Sequence, residues 1–364
     1  MYWQKLDTYL KSSERAKIIP KLYLNILKIA EFLYSRIYQL RKWAYRKNLL
    51  KKIRVNTPVI SVGNITWGGT GKTPFVIYLA SRLEERGKRV VILTRGYLRK
   101  SKQRLVLSKS SISDESWTDC GDEPFMMAKE LSASTIVVDS KRARAAVRAE
   151  QELKPDLFLL DDGFQHWRLA RDLDIVLLSP VDPLGNGKLI PLGTLREPPD
   201  ALNRADLIVC NLKTMNPEDS ACNQTVSPYR SGELLQARYK LSSIKNAETG
   251  KKVDLKSLTD KKVLGFCGIG EPDYFYRLLS QSGLKVVRQA SFPDHYAYNK
   301  MDLLSLEKEA LAHDARYLIT TAKDGLKIPD NLQLKLPVLI FEINLEVVRG
   351  EEVLWERINQ VLKK

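Results

Sequence analysis

Lys72 and Thr73 close the segment PVISVGNITWGGTGKTP, residues 58 to 74, where a Gly-rich turn ends in Gly-Lys-Thr directly after an apolar run. The chemistry suited to such a loop is phosphate binding. Gly68, Gly69 and Gly71, with Thr70 between them, let backbone N–H groups point inward, Lys72 can reach the β- and γ-phosphates of a nucleotide, and Thr73 can ligate Mg²⁺ at a positive helix N-terminus. Strict G-x-x-x-x-G-K-[ST] spacing would put its first glycine at Thr66, and Gly63 stands earlier, so the loop is a variant P-loop. Val59 to Val62 reads as a buried strand and Phe75 to Arg86 as a helix, with Pro74 tolerated in the first helical turn. An ordinary Gly-rich turn is the bland alternative, and the strand–turn–helix context weighs against it.

Acidic residues follow where phosphate chemistry needs them. In DLFLLDDGFQHWRL, residues 156 to 169, Asp161 and Asp162 stand just past a short apolar run, where an acid organises Mg²⁺ and its water; paired acids also cap turns. Gln165 and His166 crowd the same loop, and a histidine bonded quietly to a backbone carbonyl is a comparable reading. Asp122, in CGDEP, is either a base that positions an alcohol and accepts its proton late or the N-cap of the next helix. His295, beside Asp294 in SFPDHYAY, reads as a surface histidine unless a domain-boundary cleft closing on substrate brings it to the transferring phosphate or to Asp122. In LIPLGTLREPP, Arg196 can stabilise charge on the γ-phosphoryl group and Glu197 can ligate metal, with a rim salt bridge as the alternative. Lys141, Arg142, Arg144 and Arg148 form a solvated helix face or an anion site.

The elements that must position these residues alternate. Near-continuous apolar runs at Arg89–Leu93, Thr135–Val138, Leu157–Leu160, Ile175–Leu178 and Leu207–Val209 are separated by helical stretches, which predicts an α/β fold with a mostly parallel, P-loop NTPase-like sheet covered by helices. Ligands on such sheets bind beyond the carboxyl ends of the strands. After a polar connector at 213–232 and a strand-like Leu234–Leu241, a second αβ series predicts a smaller α/β domain. The expected boundaries are 1–54 for a basic amphipathic helix region, 55–230 for the P-loop domain, 231–345 for the smaller domain and 346–364 for a C-terminal helix.

Leu22, Ile26, Ile29, Leu33, Ile37 and Leu40 recur at helical spacing, interrupted by Lys21, Lys28, Glu31 and Arg36. A helix of that kind lies on a membrane without crossing it. Tyr23, Phe32, Tyr34, Tyr38, Trp43 and Tyr45 suit the headgroup boundary, and Arg41, Lys42, Arg46, Lys47, Lys51, Lys52 and Arg54 suit anionic lipid; packing on the chain's own core is the alternative. The net charge of +16 over 364 residues points to an anionic partner, and no recognisable nucleic-acid module accompanies it. Cys120, Cys210, Cys222 and Cys267 show no metal spacing and no disulfide framework, which fits a reducing compartment, and the opening residues lack the apolar core of a signal peptide.

Taken in order, GNITWGGTGKTP, TRGY, GDEP, LDDGFQH, LIPLGTLREP and FPDHYAY resemble the tetraacyldisaccharide 4′-kinases of lipid A synthesis, from the N-terminal helix to about residue 325. The displaced first glycine is normal in that family. The resemblance implies ATP-dependent phosphorylation of the 4′-hydroxyl of an acylated glucosamine disaccharide 1-phosphate, by a peripheral enzyme on the cytoplasmic face of a bacterial inner membrane, with no obligate protein partner. It implies ATP and Mg²⁺ at Lys72, Thr73, Asp161, Asp162 and Glu197, with Gln165 and His166 lining the cleft, Asp122 as the base and His295 as its partner; it does not fix roles for Arg142 and Arg196. A membrane-recruited ATPase switch is the rival reading, and it would need neither Asp122 nor His295.

Overall fold

The computed structural model describes residues 21–112, 116–180, 182–212, 222–229, 234–329 and 333–363. Expectations that fall on residues 1–20 and on most of the 213–232 connector lie outside them. In chain order the main elements are α1 (Lys21–Arg46), β1 (Val59–Gly63), α2 (Lys72–Glu85), β2 (Val90–Thr94), α3 (Asp122–Glu130), β3 (Thr135–Val138), α4 (Arg142–Leu153), β4 (Leu157–Asp161), β5 (Leu173–Leu178) and β6 (Leu207–Leu212). There follow β7 (Leu235–Asn246), β8 (Lys262–Cys267), α5 (Pro272–Gln281), β9 (Lys285–Ser291), α6 (Lys300–Ala312), β10 (Tyr317–Thr321), α7 (Ala322–Gly325), β11 (Val338–Arg349) and α8 (Glu351–Leu362).

The chain forms two compact units. The first takes the described residues of Met1–Arg95, Ala133–Arg238 and Val347–Lys364, and the second those of Gly96–Ser132 and Tyr239–Glu346. Asp122 and His295 therefore belong to the same unit.

In the first unit the strands run in the order β6-β5-β1-β4-β2-β3, all parallel, with the start of β7 beside β6. Every residue of β1, β2, β4, β5 and β6 is buried, as expected for strands covered on both faces. β1 sits between β4 and β5, and its register sets Val62 opposite Asp161, so the loop after β1 and the acids after β4 start from one level of the sheet. One core face gathers Val59, Val91, Val137 and Phe158 against Ala143, Ala146 and Ala149 of α4, whose small side chains let that helix lie close to the strands.

In the second unit β9, β8, β10 and β11 are parallel neighbours in that order, as the αβ series predicts. α5 buries Phe275, Tyr276 and Leu279 in one core, and α6 buries Leu303, Leu306 and Ala310 in another. α6 starts with a capping box, in which Asn299 and Asp302 satisfy each other's backbone N–H groups.

One expectation about cysteine is corrected. Cys210, on β6, and Cys222, which opens the short helix Cys222–Val226, are joined as a disulfide, while Cys120 and Cys267 are buried and outside any disulfide. Sequence spacing gave no sign of the pair because two cysteines 12 positions apart make no pattern of their own.

Candidate functional site

The phosphate loop of the first unit has the backbone its sequence demands. Gly71 holds φ at 84° at the N-cap of α2, a left-handed conformation that a side chain would strain, and Lys72 begins the helix immediately after it. The loop is braced from below: Asn64 Nδ2 donates to Thr70 Oγ1 at 3.0 Å, and Asn211 Nδ2, from β6, donates to the Thr70 carbonyl at 3.3 Å. Asn64 lies inside the quoted GNITWGGTGKTP segment without a role read for it, and Asn211 carries no motif signal, so sequence reasoning missed both braces.

Beyond β4 the chain turns sharply. Asp162 adopts φ 46°, and Gly163 is packed so tightly that a Cβ would lie 2.5 Å from Ser61 Oγ. A left-handed non-glycine residue of this kind is costly and persists where its surroundings hold it. Arg142 supplies part of the hold: from the start of α4, Nη1 donates to the carbonyls of Asp161 at 2.6 Å and Asp162 at 3.0 Å. Arg142 is not on a solvated face; it is a buried clamp on the acidic turn.

The two acids then part. Asp161 is buried, and its Oδ2 accepts from the Thr94 hydroxyl at the end of β2 at 2.8 Å. Asp162 meets the cations: Lys72 Nζ lies 3.7 Å from Oδ1, and Arg196 Nη1 lies 2.8 Å from Oδ1 and 3.0 Å from Oδ2. Burial opposes ionisation of Asp162, but Lys72 and Arg196 outweigh it and lower the carboxyl to about 2. Arg196 also donates to Gln165 Oε1 at 3.1 Å, and Gln165 Nε2 donates to the Asn64 carbonyl at 2.8 Å. Lys72, Asp162, Gln165 and Arg196 are thus one connected polar group at the carboxyl end of β1 and β4.

Two expected participants stand differently. Glu197 is buried and gives both carboxylate oxygens to Arg204, at 2.8 and 3.3 Å, with Tyr38 of α1 donating at 3.1 Å. His166 is pushed down to about 3, by burial first and then by the charges of Arg142 and Arg171, so its imidazole is neutral at physiological pH.

α1 divides into two faces. Tyr34 donates to the Arg196 carbonyl at 2.7 Å, Arg41 donates to the Gln165 carbonyl at 3.0 Å, and Lys42 pairs with Asp200 at 3.0 Å. Tyr38 and Tyr45 pack edge-on against Trp167. Tyr34, Tyr38, Tyr45, Arg41 and Lys42, expected at a lipid boundary, instead tie the helix to the protein, because a hydroxyl or guanidinium can reach backbone carbonyls that an apolar residue would leave unpaired. Leu22, Ile26, Ile29, Phe32, Leu33, Ile37, Leu40 and Trp43 are exposed, each at least half so, as is Trp67 of the phosphate loop. No helix among the described residues is long and apolar enough to cross a membrane.

In the second unit Asp122 opens α3, and its Oδ1 accepts from the Glu123 N–H at 2.9 Å. Its Oδ2 lies 2.7 Å from His295 Nδ1. His295 holds φ 62°, its ring tilts against Tyr97 with centroids 5.5 Å apart, and its Nε2 lies 3.7 Å from Asp294. Asp122 and His295 thus lie side by side within one unit, whereas the expected partner was to reach Asp122 from a separate domain. Burial opposes ionisation of Asp122, but the hydrogen bond to His295 and the charges of Lys323 and Lys327 hold it well below the usual carboxylate range. The two lysines were not anticipated, since TAKDGLK matches no motif used above.

A P-loop on a central parallel strand, with acids at the end of its neighbour, defines a P-loop nucleotide-binding protein. The family model of the tetraacyldisaccharide-1-P 4′-kinases, LpxK, matches residues 23–363. The tetraacyldisaccharide 4′-kinase of Pelobacter propionicus is 36% identical over 366 residues, covering 100% of this chain and 98% of that protein. That of Halothermothrix orenii is 39% identical, covering 94% and 95%. A crystal structure of LpxK from Aquifex aeolicus in complex with ATP superposes with a TM-score of 0.73 at 34% identity, over 93% of this chain and 99% of that one. The chain belongs to the tetraacyldisaccharide-1-P 4′-kinase family.

Proposed function

We propose that this chain transfers the γ-phosphate of ATP to the 4′-hydroxyl of a tetraacylated glucosamine disaccharide 1-phosphate, giving ADP and the bis-phosphorylated lipid A precursor. The observation that carries the reading is the Lys72–Asp162–Arg196 group at the mouth of the phosphate loop. Lys72 and the loop N–H groups hold the β- and γ-phosphates, and Arg196 balances charge that spreads over the γ-phosphoryl oxygens as it leaves. As the new O–P bond forms, the bond from γ-phosphorus to its bridging oxygen breaks, and the hydroxyl proton passes to Asp122, oriented by His295. Gln165 holds Arg196 in place, and Arg142 holds the turn that carries Asp162.

The donor set fits Mg²⁺. Thr73 and Asp161 would offer it hard oxygen donors, too few to form a cage of their own, which is how a phosphate-bound Mg²⁺ is usually held. When bound, the ion would screen the β- and γ-phosphates and polarise the transferring group. Glu197 contributes through the buried pair with Arg204, steadying the Arg196 loop and its link to α1. A transfer assay with γ-labelled ATP and the disaccharide monophosphate in detergent micelles tests the reading; no label in the lipid at any Mg²⁺ concentration would remove it.

The acceptor's acyl chains stay in a bilayer, so the enzyme must work at its surface, on the cytoplasmic side where ATP is present. The exposed apolar face of α1, flanked by exposed Lys28, Arg36, Arg46, Lys47, Lys51 and Lys52, supports peripheral binding to an anionic leaflet. Ile29 and Ile37 are 61% and 66% exposed, so charging them should spare the fold. The double change Ile29→Glu, Ile37→Glu is expected to weaken co-sedimentation with anionic vesicles at least about tenfold, since each side chain forfeits roughly 1.5 kcal/mol or more of apolar burial. Unaltered sedimentation would count against the membrane role of this face.

A further inference from the structure

β10 ends at Thr321, whose side chain caps α7 by accepting from the Asp324 N–H at 3.0 Å. Two lysines follow four residues apart, and both point at one carboxylate. Lys327 Nζ lies 3.4 Å and Lys323 Nζ 3.7 Å from Asp122 Oδ2, the oxygen that also meets His295. Each lysine is shared with a second acid: Lys323 with Asp294 at 3.0 Å, and Lys327 with Asp324 at 3.5 Å. The Lys327 side chain is 0% exposed.

A fully buried ammonium is expensive, and packing alone does not require one, because an apolar side chain of similar volume would fill the space at less cost. Asp324, which holds it, is itself fixed by the Gly268 N–H at 3.0 Å and the Thr321 hydroxyl at 2.7 Å. We propose that Lys323 and Lys327 are positioning residues that clamp Asp122 as an ionised carboxylate of low proton affinity, so that it orients the acceptor hydroxyl and takes the proton only late in transfer. The proposal rests on the reading of Asp122 as the group that faces the acceptor.

The chemistry gives the clamp a purpose. In a loose phosphoryl-transfer transition state the hydroxyl keeps its proton until bond formation is well advanced, so a strong base is not needed, while a protonated one is useless. A carboxylate buried as deeply as Asp122 would tend to take up a proton, and the neighbouring cations prevent it. The charged and titratable groups around it are His295, Lys323 and Lys327, then Glu123, Asp294 and Asp324 at one remove, with Tyr97 against His295 and Tyr298 near Asp324.

Initial rates between pH 4 and 9, with saturating ATP and the disaccharide monophosphate in micelles, test it. Because the parent's Asp122 is held below this window, Lys323→Met and Lys327→Met are expected to bring an acid-side fall in kcat up into it, and Lys327→Arg to leave the profile near the parent's. A uniform loss of rate with the acid limb unmoved would mean that the lysines serve only the fold, and would overturn the proposal. Should Lys327→Met fail to fold, the double variant Lys327→Met, Asp324→Asn removes the buried pair together, and an unmoved limb there and in Lys323→Met is equally fatal. Asp122→Asn separates the two layers: if it keeps full transfer, the reading of Asp122 is at fault; if it is dead while the limb stays fixed, only the clamp is.

Discussion

Asp122→Asn is expected to bind ATP as the parent does and to transfer phosphate about a thousandfold more slowly. Asparagine keeps the shape, and its carbonyl oxygen can still accept the Glu123 N–H that Asp122 Oδ1 accepts now. What it lacks is the charge that orients a hydroxyl and receives its proton, a contribution usually in the range of about 10² to 10⁴. A thousandfold is about 4 kcal/mol of transition-state stabilisation. Calorimetric titration with ATP and single-turnover transfer of label, run side by side, check both halves. The same variant decides against the rival reading of the chain as an ATPase switch, for which hydrolysis without acceptor would survive loss of Asp122.

Stability should change as well, and the sign can be worked out. The folded Asp122 carboxyl is held below its unfolded value, so its ionised form stabilises the fold at pH above the unfolded range, and that contribution is lost as pH falls through the folded value. In the asparagine variant Lys327 keeps, among the described residues, only Asp324 as an acidic partner. Some loss of thermal stability at neutral pH is therefore expected, and it should shrink in strongly acidic solution. Melting curves at two pH values separate this from the kinetic effect.

What the sequence disclosed and what it hid divide along a physical line. Short-range patterns were legible. The apolar run before Gly63, the glycines up to Gly71 and the acids after Leu160 each state a local geometry, and the structure gives a strand, a left-handed cap and a strained turn at those places. The exposed stripe from Leu22 to Leu40 was legible for the same reason, since helical periodicity is a local property. Polar residues that act through long-range contacts were not. Tyr38 meets Glu197 across 159 positions and His295 meets Asp122 across 173, and only the family resemblance pointed to the second pair. Nothing in an aromatic-rich basic helix says which tyrosines face outward and which face a buried carboxylate. The difference is set by which backbone carbonyls lie opposite, and that is known only once the 189–199 loop is folded.

Lys72→Ala should be the other severe lesion, and its kinetic signature should differ. Lys72 carries the cation that begins α2, and Asp162 is its nearest described carboxylate, at 3.7 Å. When ATP enters, the γ-phosphate is the stronger anion, and the ammonium is expected to turn from Asp162 to the phosphate. Removing it should cost the ground state less than the transition state, because charge on the bridging and equatorial oxygens grows as the phosphoryl group departs. Preorganised charges of this kind are worth about 10² to 10³ in rate, so kcat should fall by roughly that factor, with ATP affinity weakened more modestly. Arginine should rescue poorly. Its planar fork would meet Arg196 across Asp162, where two guanidiniums compete for one carboxylate. Asp162 gives an independent readout, because without Lys72 it keeps Arg196 but loses the first of the charges that hold its carboxyl at about 2, so its titration should move upward. If Lys72→Ala phosphorylates the disaccharide as fast as the parent, the phosphate loop is not where transfer is driven, however closely its sequence fits.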